Sequence, residues 1–236
     1  MRNLSFLGGI AIALTGCASD VISPLLRGKD QSSAPRVSEA NQVVLQQFSE
    51  VVRTVEPVAE RVCKSSTSRV NCDFFIVVDD RPNQPANAFQ TVDKFGRPII
   101  AFTLQLIEDA QNKDELAFVL GHEAAHHIAG HIARQQQNAV AWGVITGVLE
   151  ELRGGSSEAK EVAQLQGAQV GARTYSKSFE LEADALGTVI AAQAGFDPVH
   201  GAEFFTRIPD PGDRFLGTHP PNAQRIETVK RVADGL

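Results

Sequence analysis

Four of the six histidines fall within ten residues: His122, His126, His127 and His131, in a run that opens Leu120-Gly121-His122-Glu123-Ala124-Ala125-His126. Within it lies His122-Glu123-x-x-His126. On a helix, residues four apart share a face about one turn apart, so both imidazoles can reach one zinc ion. Glu123 follows the first ligand directly, where its carboxylate can address a water in an open coordination position and take its proton. The motif therefore demands a helix. It also demands a ligand from elsewhere in the chain, because catalytic zinc sites use three protein ligands. Leu116, Val119, Leu120 and Ala124 keep the helical period around it, which predicts a helix from Lys113 or Asp114 to about Arg134.

The best source of the third ligand is Glu180-Leu181-Glu182-Ala183-Asp184, inside a predicted helix from Lys177 to Ala194. Glu180 and Asp184 lie four apart and share a face. One can bind zinc while the other supports a ligating histidine. By spacing alone the two can exchange roles, and Glu182 points elsewhere. His127 is rotated by about 100° from His126 on the helix. On one continuous helix His131 projects to roughly the opposite face from His122. Both are therefore expected to serve packing or solvent exposure rather than the same metal.

The rest of the chain reads as α+β, with a small antiparallel sheet before a predominantly helical part. Val44, Phe48, Val51, Val55, Val58 and Val62 form a stripe at helical spacing, with Pro57 placed to kink or split that helix. Asp73 to Val78, Ala88 to Val92 and Pro98 to Phe102 read as short strands, with a turn at Asp93 to Gly96. Pro98 suits an edge or a strand start. Thr103 can cap a helix running to about Ala110. Asn138 to Leu152 is mostly small and apolar, and its stretch from Ala139 to Leu149 can serve as a lid, a membrane-resting helix or core, with a helix packed over the site as the favoured expectation. Residues 154–172 are rich in Gly, Ser, Ala and Gln and are expected to be partly mobile. Further helices are predicted over Pro198 to Ile208 and Pro221 to Val232. A 43% apolar and 21% charged composition excludes a mostly disordered chain, and the net charge of -6 argues against a nucleic-acid surface.

The first residues, MRNLSFLGGIAIALTGC, carry one positive charge and then an apolar run from Leu4 to Leu14. That run is too short to span a bilayer and fits a secretory signal peptide. Leu14-Thr15-Gly16-Cys17 resembles a bacterial lipobox, with cleavage before Cys17 and lipid on that cysteine. Ala18, where an aspartate would signal inner-membrane retention, favours outer-membrane sorting. The predicted organisation is a signal peptide over 1–16, a lipidated tether over 17–37 and a catalytic domain over 38–236. Three cysteines then divide as one anchor and a pair. Cys63 and Cys72 can close a small disulfide loop in an oxidising compartment.

These motifs together are similar to the M48 family of zinc metallopeptidases, in which HExxH is followed by a helix carrying ExxxD. The resemblance covers about residues 40–232. It extends to Asn87-Ala88-Phe89, to the approach from Asp114 to His122, and to Thr218-His219-Pro220-Pro221 with Arg225 and Ile226 beyond. It is nearest to the bacterial periplasmic lipoprotein or quality-control branch without C-terminal repeats. The resemblance implies a zincin-type fold, one Zn2+ per chain held by His122, His126 and Glu180, and Asp184 in support. It places His219 near the zinc, to bind the metal in a closed state or to stabilise the oxyanion. Arg225 is a candidate to anchor Asp184, the His219 loop or substrate carbonyls. Asn87, Ala88 and Phe89 are candidates to bind an extended substrate along a sheet edge.

The implied activity is an endopeptidase. It hydrolyses peptide bonds in unfolded or misassembled envelope proteins through a zinc-bound water activated by Glu123. The expected setting is the periplasmic side of the envelope, anchored by lipid to the outer membrane. Two rival readings use the same residues. One is a chaperone-like binder without turnover, and the other is a zinc amidase acting on a cell-wall or small-molecule substrate.

Overall fold

The structure, a computed structural model, describes residues 39–174, 176–212 and 219–236. The signal peptide, the tether, Cys17 and Thr218 lie outside the described residues. Helix α1 (Glu39–Ser66) runs through Pro57 as one element. Its stripe of Phe48, Val51, Val55, Val58 and Val62 is buried in the main core. Phe48 meets Phe102 there with ring centroids 4.8 Å apart.

Three strands follow: β1 (Phe75–Asp79), β2 (Ala88–Val92) and β3 (Pro98–Thr103). The predicted turn joins β2 to β3 as an antiparallel pair, with Gly96 at φ +81°. The expectation of a purely antiparallel sheet is corrected, because β1 pairs with β3 in parallel and the order is β1-β3-β2. Burial explains the order. β3 carries Pro98, Ile100, Ala101, Phe102 and Thr103 buried, so it takes the centre, while β1 and β2 are half-exposed edges. The hairpin fills one side of β3 with β2, and only the other side is left for β1. Pro98 sits at the start of its strand, where its missing N–H costs least.

A disulfide joins Cys63 at the end of α1 to Cys72 just before β1, with Cα atoms 5.7 Å apart. Closing a loop of this size stabilises a fold by about 2–3 kcal/mol on the chain-entropy account. Cys63→Ala/Cys72→Ala is expected to lose about that much in denaturant unfolding; an unchanged midpoint would show that the bridge is not formed.

Thr103 caps the short helix α2 (Leu104–Asp109) by accepting from the Leu106 N–H. Helix α3 (Lys113–Ile128) starts at Asn112, whose side chain accepts from the Glu115 N–H, and Asp114 and Glu115 suit the positive helix end. The predicted helix was to continue to about Arg134, and it does not. Gly130 adopts φ +66°, a left-handed conformation that stops α3, and the chain restarts as α4 (His131–Leu152).

Two further expectations are corrected here. Residues 157–174, within a stretch for which no regular element was expected, form a helix, α5 (Ser157–Thr174). It packs antiparallel on α4, since a Cβ on Gly171 would meet Asn138 O and one on Gly167 would meet Trp142 O. Small residues allow that approach, and they also obscure an amphipathic pattern in the sequence. The apolar stretch of α4 therefore lies against α5 rather than over the site. Val140, Val144, Ile145, Val148 and Leu149 remain exposed, and Ile132 and Gln135 near the start of α4 border the cleft.

Helix α6 (Ser176–Gln193) crosses α3 at glycines on both sides. A Cβ on Gly121 would sit 2.8 Å from Gly187 O, and one on Gly187 would sit 2.8 Å from His122 N. Only glycine permits this spacing. Beyond it come α7 (Pro198–Gly201), a 3-10 turn (Ala202–Thr206) and α8 (Asn222–Ala233). Arg207, just after the turn, makes a two-pronged pair with buried Glu115, at 2.7 and 2.6 Å, fixing this segment to the start of α3.

Candidate metal centre

The close crossing at Gly121 and Gly187 brings the acidic face of α6 onto the histidine face of α3. Glu180, Asp184 and Gly187 follow at spacings of four and three, so all three face α3. His122 Nε2 and His126 Nε2 are 3.0 Å apart. Glu180 Oε2 lies 3.5 Å from the first and Oε1 lies 3.4 Å from the second. A tetrahedral ion with bonds of about 2.1 Å holds its donors about 3.4 Å apart. Two imidazole nitrogens and a carboxylate oxygen are also zinc's own donor types. The residues fit the ion, and His122, His126 and Glu180 form the metal-ligand group found among the described residues.

The open choice between Glu180 and Asp184 is resolved by position. Asp184 is fully buried behind His122, with Oδ1 2.9 Å from Nδ1, and does not reach the shared donor space. Arg225 from α8 grips Asp184 in turn, Nε donating to Oδ2 at 2.8 Å and Nη2 to Oδ1 at 2.6 Å. Of the roles open to Arg225, the geometry matches the anchor of Asp184. Its guanidinium also lies 3.5 Å from Glu180 Oε2 and over the Phe205 ring.

Without metal the group is electrostatically divided. Burial opposes a charge on His122, but the Asp184 and Glu180 carboxylates outweigh it and push its pKa up to about 9. Burial and the neighbouring His122 cation push His126 down to about 3. Two imidazoles this close cannot both carry a positive charge. Burial would raise Glu180, yet hydrogen bonds from His122 and His219 hold its carboxyl far below the usual range.

Glu123 is nearly buried and faces the same cleft. Burial raises its pKa, the His122 cation lowers it, and a backbone hydrogen bond with Gln90 of β2 also lowers it. His219 Nδ1 lies 3.2 Å from Glu180 Oε2, with its ring more than half exposed. It therefore stands at the mouth of the site beside the third ligand.

The cleft has a volume of about 740 Å³. Asn87, Ala88, Phe89 and Gln90 form one wall, and Phe204, Phe205 and Ile208 form an apolar wall. Asn87 is pinned by Thr103, whose N–H donates to Asn87 O at 2.9 Å while its hydroxyl accepts from Asn87 N–H at 2.9 Å. β2 is an edge strand, so its backbone on one side is unpaired within the sheet.

His127 follows its expected packing role. Its Nε2 contacts Asn71 O at 2.7 Å and its ring meets Phe74 edge-on. His131 does not follow the expectation. The opposite-face placement assumed one unbroken helix, and the stop at Gly130 swings His131 back behind His126, with the two Nδ1 atoms 2.8 Å apart. Ala129-Gly130 was the available signal, since a glycine beyond a periodic run marks a helix end. Glu182 points away from the ligand group as expected, but onto His131.

The model of Peptidase family M48 matches residues 45–233. The chain belongs to peptidase family M48. The M48 domain is 28% identical over 188 residues to the Beta-barrel assembly-enhancing protease of Yersinia pestis, covering 74% of this chain and 37% of that protein. It is 32% identical over 168 residues to the Putative beta-barrel assembly-enhancing protease of Vibrio cholerae, covering 66% and 32%. The Mitochondrial metalloendopeptidase OMA1 of Saccharomyces cerevisiae is 28% identical over 165 residues, covering 66% and 45%. The chain thus spans about a third of the bacterial relatives and under half of the mitochondrial one. Membership makes it a metallopeptidase with zinc as the metal of its histidine–glutamate group.

Proposed function

We propose that this M48 domain is an endopeptidase that cleaves internal peptide bonds of unfolded or misassembled cell-envelope proteins. In this reading lipid on Cys17 holds it at the periplasmic side of the outer membrane. The observation that carries the catalytic part is the convergence of His122, His126, Glu180 and Glu123 at one open cleft beside an edge strand. The similarity to bacterial assembly-enhancing proteases supports the class of substrate. The leader ending in Leu14-Thr15-Gly16-Cys17 supports the location.

Zinc, when held by His122, His126 and Glu180, supplies Lewis-acid polarisation and a lowered water pKa. The other steps belong to side chains and backbone. β2 offers N–H and C=O groups to an extended chain, which favours unfolded segments over packed domains. Phe204, Phe205 and Ile208 take apolar side chains and exclude water. Glu123 accepts a proton from the attacking water and returns it to the leaving amine. Its buried position favours the neutral form more than water would, which suits a group that must both take and give a proton. His219, beside Glu180 at the mouth of the site, donates a hydrogen bond to the developing oxyanion in this reading.

The test is a substrate panel with zinc-loaded protein. Unfolded casein is expected to be cut at internal bonds, to be spared after chelation, and to be cut again after zinc is restored. Turnover of peptidoglycan peptides with casein untouched would favour the amidase, and binding of casein without cleavage would favour the chaperone-like binder. Cys17→Ser is expected to move the protein from the membrane to the soluble fraction.

A further inference from the structure

The two histidine ligands are supported in different ways. His122 Nδ1 faces the Asp184 carboxylate at 2.9 Å. His126 Nδ1 instead faces a second imidazole, His131 Nδ1, at 2.8 Å. A ligating histidine binds through one ring nitrogen and donates the proton on the other. His126 Nε2 is the atom turned toward His122 and Glu180, so the His126 proton belongs on Nδ1. His131 Nδ1 must then accept, which leaves the His131 proton on Nε2. That N–H meets Glu182 Oε2 at 3.2 Å, and Arg134 Nη1 donates to the same oxygen at 2.8 Å.

His131 is also held by packing. It is 3% exposed, and its ring stacks on Phe179 with centroids 4.6 Å apart and planes within 10°. Arg134 lies over the same Phe179 ring at 4.3 Å. Its ring plane is therefore fixed by Phe179 on a face and by polar partners at both nitrogens.

We infer that His131 is a positioning residue for the metal centre, fixing the tautomer and ring plane of His126, with Glu182 and Arg134 fixing His131. The inference rests on His122, His126 and Glu180 being the zinc ligands. Two supports then run outward from the ligands: His122 to Asp184 to Arg225, and His126 to His131 to Glu182 to Arg134. The second places a neutral ring next to the ligand where the first places a carboxylate. His126 thus receives less negative charge from behind than His122 does.

Nitrogen NMR of zinc-loaded wild-type protein with isotope-labelled histidine rings tests the hydrogen bonding directly. His126 is expected with its proton on Nδ1 and His131 with its proton on Nε2. A proton on His131 Nδ1 would overturn the inference, whatever the variants do. His131→Phe keeps a ring against Phe179 but removes the acceptor. It is expected to weaken zinc binding by about 10–100-fold in competition with a chromophoric chelator. His131→Asn, with an amide oxygen near the Nδ1 position, is expected to recover most of that loss, which a purely space-filling role would not produce. Wild-type affinity in a folded His131→Phe protein would overturn the inference and leave the metal centre standing. Wild-type protein that takes up no zinc would defeat the ligand reading, and this inference with it.

Discussion

Glu123→Gln is expected to lower the rate of peptide hydrolysis by about 10²–10⁴-fold while zinc content stays at the wild-type level. The substitution keeps the size of the side chain and an oxygen that can still accept from the Gln90 backbone. It removes the ability to take a proton from water. The ligand atoms belong to His122, His126 and Glu180, so the metal group is untouched. Zinc content by elemental analysis and casein turnover, measured on the same preparation, separate the two properties. Turnover within tenfold of wild type would remove Glu123 as the base. Loss of zinc together with activity would assign it a role in holding the metal.

Arg225→Ala is expected to destabilise the metal-free protein by about 3–5 kcal/mol, the range for removing one partner of a buried ion pair. Asp184 has no exposed surface, and two of its three partner contacts come from Arg225. Burial opposes the Asp184 charge, and the Arg225 and His122 contacts reverse that and hold its carboxyl below the usual range. Without Arg225 the carboxylate keeps only His122. Arg225→Lys is expected to restore little, because one ammonium cannot bond both carboxylate oxygens in the plane that a guanidinium matches. The lost orientation of Asp184 also reaches the ligand, so zinc affinity should fall by about 10–100-fold. Denaturant unfolding of the metal-free variants measures the first effect. A loss under about 1 kcal/mol would show that the pair contributes little beyond positioning.

The elements that proved legible are those whose evidence is local. The stripe from Phe48 to Val62 sits at helical spacing, and it is buried. The Asp93–Gly96 turn needs a left-handed residue, and Gly96 supplies it. Thr103 caps its helix as expected. The elements misread share a different property. The pairing of β1 with β3 depends on which strand is most deeply buried, which no single strand encodes. Helix α5 owes its formation to α4, whose small residues accept it closely. His131 was misplaced because Gly130 is compatible with either a weak helix position or a stop, and in the structure it takes the left-handed conformation of a stop.

The sequence by itself determined the donors. The four-residue spacing of His122 and His126, and of Glu180 and Asp184, places each pair on one helical face whatever surrounds it. It also set Glu123, the proposed base, directly beside the first histidine. Tertiary structure alone decided which carboxylate meets both histidines and which stands behind one. That choice follows from where α6 crosses α3, at Gly121 and Gly187, where the absence of side chains sets the distance between backbones. It also decided that His131, Glu182 and Arg134 back the second ligand. The contacts to Glu182 join segments 51 and 48 residues apart in the chain, and helical periodicity carries no information about how one helix is placed against another.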